Sequence, residues 1–358
     1  MPPERVRAFG PGRVNLIGEH TDYNGGLALP FAISRGVVVD AVAATDGHVR
    51  SYAVDFDEND DFSVHDRAHV EGWRAFGRGM VAELTNAGID VPGAELRIGG
   101  GDLPRGAGLS SSAALEVALC LALIELARAG AAARGGEQPP ELSAVELARL
   151  CSRVENDWVG AQTGLLDQLA SLCGQADAAL LIDFATLGIE PVPLTLGEWR
   201  LVVLDSGQRH EHAGGDYNQR RAECARACEL LGVETLSEAD PAEVERLPEP
   251  LRRRGRHVLG ENGRVLRAVA ALRGGELPAL GALLNASHAS LRDDYEISTP
   301  AVEAAAARLL AAGAAGARIM GGGFGGCVLG LFAPEHEPPA DALAVRPGAG
   351  AHLLAAAD

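Results

Sequence analysis

Lysine is absent from this sequence of 358 residues, and all 31 basic side chains are arginine. Chemistries that need a lysine are therefore excluded, among them a Walker A phosphate loop, the ATP-binding lysine of protein kinases and a Schiff base. A GC-rich genome would also explain the bias, but the exclusion holds in either case. If the protein handles phosphate, it must do so with arginine, backbone amides or a metal ion.

Aromatic residues and positive charge are also scarce. Aromatic side chains make up 4% of the chain, hydrophobic residues reach 47%, and the formal net charge is -18. The interior must therefore consist mainly of Ala, Val and Leu, which is a composition typical of a globular protein. The negative balance argues against nucleic acid or an anionic membrane surface as a partner, because both attract clustered positive charge.

Long apolar runs and paired cysteines are missing as well. The stretch 113–129 is the most apolar, but Glu116, Glu125 and Arg128 interrupt it. The N-terminal residues contain no apolar segment of the kind found in secretion signals, so we expect a cytoplasmic protein without membrane spans. The cysteines form no C-x-x-C pair and are predicted to be reduced core residues; they are Cys120, Cys151, Cys173, Cys224, Cys228 and Cys327.

Strand-like and helix-like patterns follow each other without a regular alternation, which favours an α+β fold. Strands are predicted at 27–43, 94–98, 178–183, 200–205, 317–320 and 327–332. Helices are predicted at 111–129, 143–158, 164–174, 215–232, 263–273 and 299–312. The length suits two domains, and we place the boundary near residue 185, giving domains 1–185 and 186–358.

The most informative segment is 12–26, with the sequence GRVNLIGEHTDYNGG. It holds an arginine, a histidine and several carboxylates and amides between glycines, and it is too polar for a core strand. A loop that displays these groups could hydrogen-bond a polyol from several directions. The alternative is a solvated turn.

Two glycine-rich segments accompany it. The segment 103–114, LPRGAGLSSSAA, opens a predicted helix. Its backbone amides and hydroxyls could bind phosphate, and the alternative is an ordinary helix N-cap. The segment 319–328, IMGGGFGGCV, has five glycines within the six residues 321–326. So many glycines indicate a close approach of the backbone to another group, although a tight hairpin is the alternative.

Together and in this order, the three segments resemble those of the GHMP kinases, and the first is similar to the signature of the galactokinase family. The resemblance covers nearly the whole chain, because family-like stretches also occur at 155–168, 216–224 and 285–295. Thr163 and Leu166 depart from the cysteine and methionine that many family members carry there. Neither position supplies essential chemistry, so the departure affects only local packing.

This resemblance implies a two-domain GHMP-kinase fold with the active site in the cleft between the domains. It implies transfer of the ATP γ-phosphoryl group to the anomeric hydroxyl of galactose, with Mg²⁺ required and galactose 1-phosphate and ADP as products. This would be the first committed step of galactose catabolism, and a monomer is expected. The alternatives are a related kinase for N-acetylgalactosamine or arabinose, and a galactose-sensing regulator on the same fold.

The resemblance also implies catalytic and metal-binding roles. Asp167 would act as general base or as an electrostatic and orienting group, with Arg13 as its partner and as the stabiliser of the transferred phosphoryl group. The alternative for Asp167 is a surface carboxylate on a helix. Ser112 and Glu155 would bind Mg²⁺, and Glu155 could instead form a plain salt bridge.

Substrate contacts follow from the same resemblance. Trp73 would lie near the adenine, or it could be a core residue, and His20 could equally be structural. The residues implied in sugar binding are Glu19, His20, Thr21, Asp22, Gly164 and Tyr217. Those implied in ATP binding are Gly106, Ala107, Gly108, Leu109, Ser110, Ser111, Ser112 and Trp73.

Overall fold

The structure is a computed structural model that describes residues 5–99, 101–103, 108–208 and 213–355, with only the backbone at 213 and 214. The strands are β1 Arg5–Asn15, β2 Leu27–Ala28, β3 Pro30–Ala44, β4 His48–Ala53, β5 Glu58–Ser63, β6 Gly93–Ile98, β7 Ala178–Asp183, β8 Gly188–Pro193, β9 Arg200–Asp205, β10 Ala314–Ile319, β11 Cys327–Phe332, β12 Leu343–Val345 and β13 His352–Leu354. The α-helices are α1 Arg74–Asn86, α2 Ser111–Arg134, α3 Ala144–Arg153, α4 Leu166–Cys173, α5 Ala213–Leu231, α6 Pro241–Val244, α7 Leu251–Gly274, α8 Leu277–Asp293 and α9 Pro300–Ala311. Short 3-10 helices cover Asp22–Asn24 and Leu236–Glu238, and a π-helix covers Val154–Val159.

Three sheets organise the described chain. The first has the order β13-β1-β3-β6-β4-β5, the second β10-β11-β9-β12 and the third β2-β7-β8. The pair β4 and β6 is parallel and the other described pairs are antiparallel. Such a mixture of sheets and helices confirms the predicted α+β class.

Local sequence explains where several helices begin and end. The hydroxyl of Ser143 caps α3 by accepting a hydrogen bond from the Glu146 backbone, and the Glu146 side chain accepts one in return. Thr299 caps α9 directly before a proline at the first helical position. Gly135 caps the C-terminal end of helix α2, and its φ of 63° is the left-handed conformation that glycine adopts at little cost.

One hydrophobic cluster joins residues from the two halves of the chain. It contains Val14 and Phe31 from the first half together with Val203, Leu280 and Leu329 from the second. A second cluster lies between the first sheet and α1, α2 and α3.

Residue 185 falls in the turn between the paired strands β7 and β8, and the proposed domain boundary there stays a prediction.

The interpretation of residues 12–26 as a loop is wrong for the first four of them, which are the end of strand β1. In that strand Arg13 pairs with Ala32 and Asn15 with Pro30. Both polar side chains are almost fully buried, Arg13 at 6% exposure and Asn15 at 0%. The polarity of Arg13 and Asn15 suggested a loop. The sequence could not show that distant parts of the chain cover these side chains.

Other boundaries differ from the predictions where tertiary contacts override local signals. The predicted strand 27–43 is two strands in different sheets, separated at Leu29, whose backbone hydrogen-bonds with Leu16 and Ile17. Helix α7 begins at Leu251, well before the predicted start at 263, and α2 continues to Arg134. The prediction missed β1, β4, β5, α1, β8, α6, α8, β12 and β13.

Candidate active site

A polar cavity of about 220 Å³ lies where the end of β1, the start of α4, helix α5 and the glycine-rich loop 321–326 meet. Its volume and its many hydrogen-bonding groups suit a small polyol. Six of the sequence-predicted residues line it together with Arg13. They are Glu19, His20, Asp22, Gly164, Asp167 and Tyr217.

Arg13 and Asp167 form a two-pronged ion pair at the wall of this cavity. Arg13 Nε donates to Asp167 Oδ1 at 2.7 Å, and Nη2 donates to Oδ2 at 3.0 Å. The hydroxyl of Ser110 also donates to Oδ2. Three donors therefore fix the orientation of a carboxylate whose side chain is 25% exposed, and the paired guanidinium offsets the cost of its partial burial.

Asp22 packs directly against Gly164. A Cβ atom added to Gly164 would lie 1.9 Å from Asp22 Oδ2, so only glycine leaves room for this carboxylate. Burial raises the pKa of Asp22 to about 6, and the nearby charges of Asp167 and Glu19 add to the effect. Such a carboxylate needs hydrogen-bond donors, and sugar hydroxyls would provide them.

We expect Asp22→Asn to lower kcat/KM for galactose by roughly tenfold to a hundredfold, because a charged acceptor is lost. In the unmodified protein, kcat/KM should also fall as the pH drops through about 6, where Asp22 takes up a proton. Initial rates measured from about pH 5 to pH 8 check this. A pH profile of the variant that keeps the same acid limb would contradict the assignment.

Asp22→Asn should lower the activity but raise the stability of the fold. The folded protein holds the Asp22 proton more tightly than an unfolded chain with the ordinary pKa of 3.8. Ionised Asp22 therefore destabilises the fold, and this effect grows between about pH 3.8 and pH 6 and is complete above pH 6. Asp22→Asn should therefore raise the unfolding temperature by about 2 °C near pH 8 and by less near pH 5. Thermal unfolding at both values measures the difference.

His20 lines the cavity of about 220 Å³, here named the sugar-side cavity, and a chain of hydroxyl groups holds its ring from behind. Its Nδ1 lies 2.8 Å from the Tyr23 hydroxyl, and that hydroxyl lies 2.9 Å from the hydroxyl of Tyr295. Burial lowers the pKa of His20 to about 3, so the ring is neutral at pH 7. A neutral, fixed imidazole can orient a hydroxyl but brings no positive charge to the cavity.

Glu19 and Thr21 occupy different environments in the same loop. The Glu19 carboxylate lines the cavity and accepts a hydrogen bond from the Gly321 backbone at 2.8 Å. The Thr21 hydroxyl lies 2.9 Å from Gly18 O and 2.8 Å from Leu27 O, so it is engaged within the loop. A direct contact between Thr21 and the sugar stays a prediction.

Tyr217 projects from the first turns of α5 and packs over the glycine-rich loop. A Cβ atom on Gly322 would lie 3.0 Å from its ring. Burial raises the pKa of Tyr217 well above its ordinary value, and the charge of Asp22 adds to the effect. The phenol therefore stays protonated and can donate a hydrogen bond into the cavity.

A second cavity, of about 360 Å³, lies beside the start of α2. Ser111, Ser112 and Trp73 line it, and the Trp73 ring lies nearly parallel to that of Phe56 at 6.5 Å. The predicted ATP contacts Gly106 and Ala107 lie outside the described residues. Gly108 and Leu109 contact Arg13, because Gly108 O accepts from Arg13 Nη1 at 2.7 Å and Leu109 O accepts from the Arg13 backbone at 3.1 Å.

Ser112 and Glu155 are in contact, with Ser112 Oγ donating to Glu155 Oε1 at 2.8 Å. Thr163 Oγ1 and Gln168 Nε2 donate to the other carboxylate oxygen at 2.7 and 2.9 Å. The expectation that Thr163 affects only local packing is therefore wrong, because its hydroxyl orients Glu155. Burial raises the pKa of Glu155, and these hydrogen bonds oppose that shift. The described residues contain no group of three or more His, Cys, Asp or Glu side chains suited to a metal ion.

Glu116 is a site component that the sequence-based reasoning missed. It is fully buried on α2, and its Oε2 accepts from Gln168 Nε2 at 3.0 Å. Burial, with the charge of Glu155 nearby, raises the pKa of Glu116 well above its ordinary value. A carboxylate within the apolar run 113–129 was the available signal, because a buried carboxylate must find a polar partner in the interior.

Three parts of the chain match known families. Residues 2–42 match the galactokinase galactose-binding signature, 75–175 the GHMP kinase N-terminal domain and 268–350 the GHMP kinase C-terminal domain. The galactokinase of Streptomyces coelicolor is 43% identical over 340 residues, which cover 92% of this chain and 84% of that protein. The chain belongs to the galactokinase family. It is an ATP-dependent sugar kinase by that membership.

Further galactokinases support the assignment. The protein from Roseiflexus sp. is 44% identical, with 91% of this chain and 82% of that protein covered. The crystal structure of Lactococcus lactis galactokinase complexed with galactose has a TM-score of 0.89 and 32% identity, covering 98% of this chain and 95% of that chain. Methanococcus jannaschii mevalonate kinase, at 16% identity and a TM-score of 0.62 with coverage of 97% and 99%, shares the fold.

The six cysteines are all free in the structure, as expected from their spacing. Four are buried, and Cys224 Sγ lies 3.0 Å from the hydroxyl of Tyr295, which belongs to the hydroxyl chain behind His20. Burial raises the pKa of Cys224 to about 11. The Cys224 thiol is therefore a core group and not a nucleophile at neutral pH.

Proposed function

We propose that the protein transfers the γ-phosphoryl group of ATP to the anomeric hydroxyl of D-galactose, giving galactose 1-phosphate and ADP. The observation that carries the proposal is the Arg13–Asp167 pair at the wall of a sugar-sized polar cavity. The same arginine contacts Gly108, next to the start of α2. Acceptor and donor substrates would thus meet at one guanidinium.

In this proposal Asp167 faces the anomeric hydroxyl and orients it, and accepts its proton if it acts as the general base. Arg13 keeps the carboxylate in place and stabilises the negative charge that develops on the transferred phosphoryl group. Phosphoryl transfer depends chiefly on positioning and charge neutralisation, so a site without lysine suffices. Glu19, His20, Asp22 and Tyr217 would hold the remaining sugar hydroxyls.

The nucleotide would bind along the second cavity and the start of α2. The unpaired amides of the first turn and the positive end of the helix dipole favour phosphate there. Ser110, Ser111 and Ser112 would add hydroxyl donors, and Trp73 would contact the adenine. Gly108 and Leu109 would follow the phosphates with their backbone.

Ser112 and Glu155 would hold Mg²⁺, because a hydroxyl and a carboxylate 2.8 Å apart are the hard oxygen ligands that this ion prefers. Two protein ligands suffice if nucleotide phosphates and water complete the coordination. When bound, the ion neutralises charge on the nucleotide phosphates. Thr163 and Gln168 keep the Glu155 carboxylate oriented towards Ser112.

We expect Ser112→Ala to raise the half-saturating Mg²⁺ concentration by roughly tenfold or more and to lower kcat, because one oxygen ligand is lost. Steady-state rates at saturating ATP and galactose over a series of Mg²⁺ concentrations measure this. Ser111→Ala, which removes the neighbouring hydroxyl in the same cavity, serves as the comparison and should leave half-saturation by Mg²⁺ nearly unchanged. An unaltered Mg²⁺ dependence of Ser112→Ala would contradict the assignment.

A coupled assay of ADP release with galactose, glucose, N-acetylgalactosamine, arabinose and mevalonate in parallel tests the proposed reaction. Galactose should give the highest kcat/KM, because a polar site rejects sugars that leave its groups unpaired. Turnover with another sugar but not with galactose would contradict it. Binding of galactose and ATP without turnover would indicate a sensor.

We further propose that the reaction takes place in the cytoplasm and that the protein acts as a monomer on two small-molecule substrates. Among the described residues, no helix combines the length and the apolar character needed to cross a membrane. The net charge of -18 supports the proposal that the protein has no nucleic-acid or membrane partner, because both partners attract positive charge.

A further inference from the structure

Arg318 is a fully buried arginine in strand β10, which ends one residue later at the glycine-rich loop. Its Nη1 donates to Asn15 O at 2.8 Å and lies 3.2 Å from Leu16 O. Its Nη2 lies 3.4 Å from Glu19 Oε1. One side chain from the second half of the chain thus holds the segment that leaves β1 and also contacts a carboxylate of the sugar-side cavity.

Glu19 itself is only 4% exposed, so its carboxylate needs compensation from the protein. Its Oε1 is engaged by the Gly321 backbone and by Arg318, which leaves Oε2 as the oxygen expected to accept a sugar hydroxyl. Among the described residues, Arg318 makes the salt bridge of Glu19. The orientation of Glu19 therefore depends on a cation that does not line the cavity.

The other titratable groups nearby cannot replace this cation. Burial lowers the pKa of His20 to about 3 and that of His257 to about 4, so both rings are neutral at pH 7. Arg264, also close by, is paired with the carboxylate of Glu261 at 2.5 Å. Arg318 is consequently the positive charge that faces Glu19 from the interior.

We propose that Arg318 is a positioning residue for sugar recognition, which holds the Glu19 carboxylate at the cavity wall and ties its loop to the glycine-rich loop. This inference rests on the proposed binding of galactose. Arg318 does not line the cavity, so it would act on the sugar through Glu19 and the segment that carries Glu19. Removal of Arg318 should weaken the contact with one particular sugar hydroxyl, and a purely structural role predicts no such selectivity.

The test uses galactose and a set of monodeoxygalactoses, each lacking one hydroxyl, with the variants Glu19→Gln and Arg318→Gln. In the unmodified protein, loss of the hydroxyl that Glu19 accepts should lower kcat/KM by roughly tenfold to a hundredfold. That penalty should shrink in Glu19→Gln and thereby identify the hydroxyl. In Arg318→Gln, the penalty for losing this same hydroxyl should shrink more than the penalty for losing any other hydroxyl. KM for galactose should rise, and kcat should change less than KM.

Arg78→Gln is the matched control. Arg78 lies in α1, is 13% exposed, and pairs with Asp60 at 2.8 Å and Asp66 at 2.9 Å, all outside the sugar-side cavity. This variant also loses a largely buried ion pair, so its unfolding temperature should fall. Its pattern of deoxysugar penalties should match that of the unmodified protein.

A folded Arg318→Gln protein with unchanged deoxysugar penalties would overturn the proposal. If that variant does not fold, Arg318→Lys keeps the charge but cannot serve Glu19 and both carbonyl groups together. A double-mutant cycle of Arg318→Lys with Glu19→Gln then tests whether the two residues act together. Non-additive effects on KM support the proposal, and additive effects overturn it.

Calorimetric titration with the same sugars distinguishes this inference from the proposed reaction. Galactose binding without turnover would contradict the reaction, and the deoxysugar pattern in binding would still test Arg318. Failure of the unmodified protein to bind galactose would overturn both proposals.

Discussion

Replacement of Asp167 by asparagine should lower kcat by roughly two orders of magnitude or more, while the protein still folds and binds ATP. The amide keeps the shape of the side chain but removes its charge and its basicity. Galactose affinity should change far less, because an amide can still hold a hydroxyl. Steady-state kinetics together with calorimetry for galactose and ATP measure these effects separately.

The contacts of Asp167 add a consequence for stability. Both carboxylate oxygens accept from Arg13, so an amide nitrogen in place of one of them would face an N–H or O–H donor. Arg13 would then be buried with incomplete compensation, and some loss of unfolding temperature is expected. Thermal unfolding must therefore accompany the kinetics, so that a loss of rate is not confused with a loss of folded protein.

The pH dependence of the variant separates the two roles considered for Asp167. If it removes the proton, the residual rate of Asp167→Asn should rise with pH where the unmodified enzyme is flat, because hydroxide then replaces the base. If it acts through charge and orientation, the rate should be low at every pH. A folded variant with near-normal kcat would contradict both roles.

Substitution of Gly164 by alanine should raise KM for galactose by roughly a hundredfold, although it adds only one methyl group. The new Cβ would lie 1.9 Å from Asp22 Oδ2 and 2.6 Å from Asp22 Cγ, so the carboxylate must move. The backbone of Gly164 is not in the left-handed region, so backbone strain does not contribute. Steady-state kinetics over a range of galactose concentrations measure the change.

Gly77→Ala provides the matched control, because a Cβ atom at this position of α1 meets nothing within 4 Å. It should leave KM unchanged and slightly stabilise the helix. The double variant Gly164→Ala with Asp22→Ala tests the cause directly. If the clash with Asp22 is responsible, adding Gly164→Ala to Asp22→Ala should have little further effect, and a full second loss would contradict this explanation.

The parts of the site that local sequence pointed to are the short polar and glycine-rich segments that carry Asp22 and Ser112. Gly164 and Glu155, which lie far away in the sequence, were expected only from the family resemblance, and the structure places them beside Asp22 and Ser112 respectively. The capped starts of α3 and α9 were predictable for the same reason, since a helix cap is a local interaction.

Residues that act across the fold could not be recognised in this way. Arg318 stands alone in an apolar strand, and its partners Asn15 and Glu19 lie at the other end of the sequence. Tyr295 supports His20 through the hydroxyl of Tyr23, again across most of the chain. In each case the isolated residue signals a buried polar group, but only the tertiary structure identifies its partner.

The single guanidinium of Arg13 has a consequence for how the two substrates influence one another. Arg13 donates to Asp167 with Nε and Nη2 and to the Gly108 carbonyl with Nη1, so in the proposed reaction it would link the sugar side to the nucleotide side. A shift of either segment on ligand binding would reposition the group that the other segment depends on. Thermodynamic linkage then requires each substrate to change the affinity of the other by the same factor.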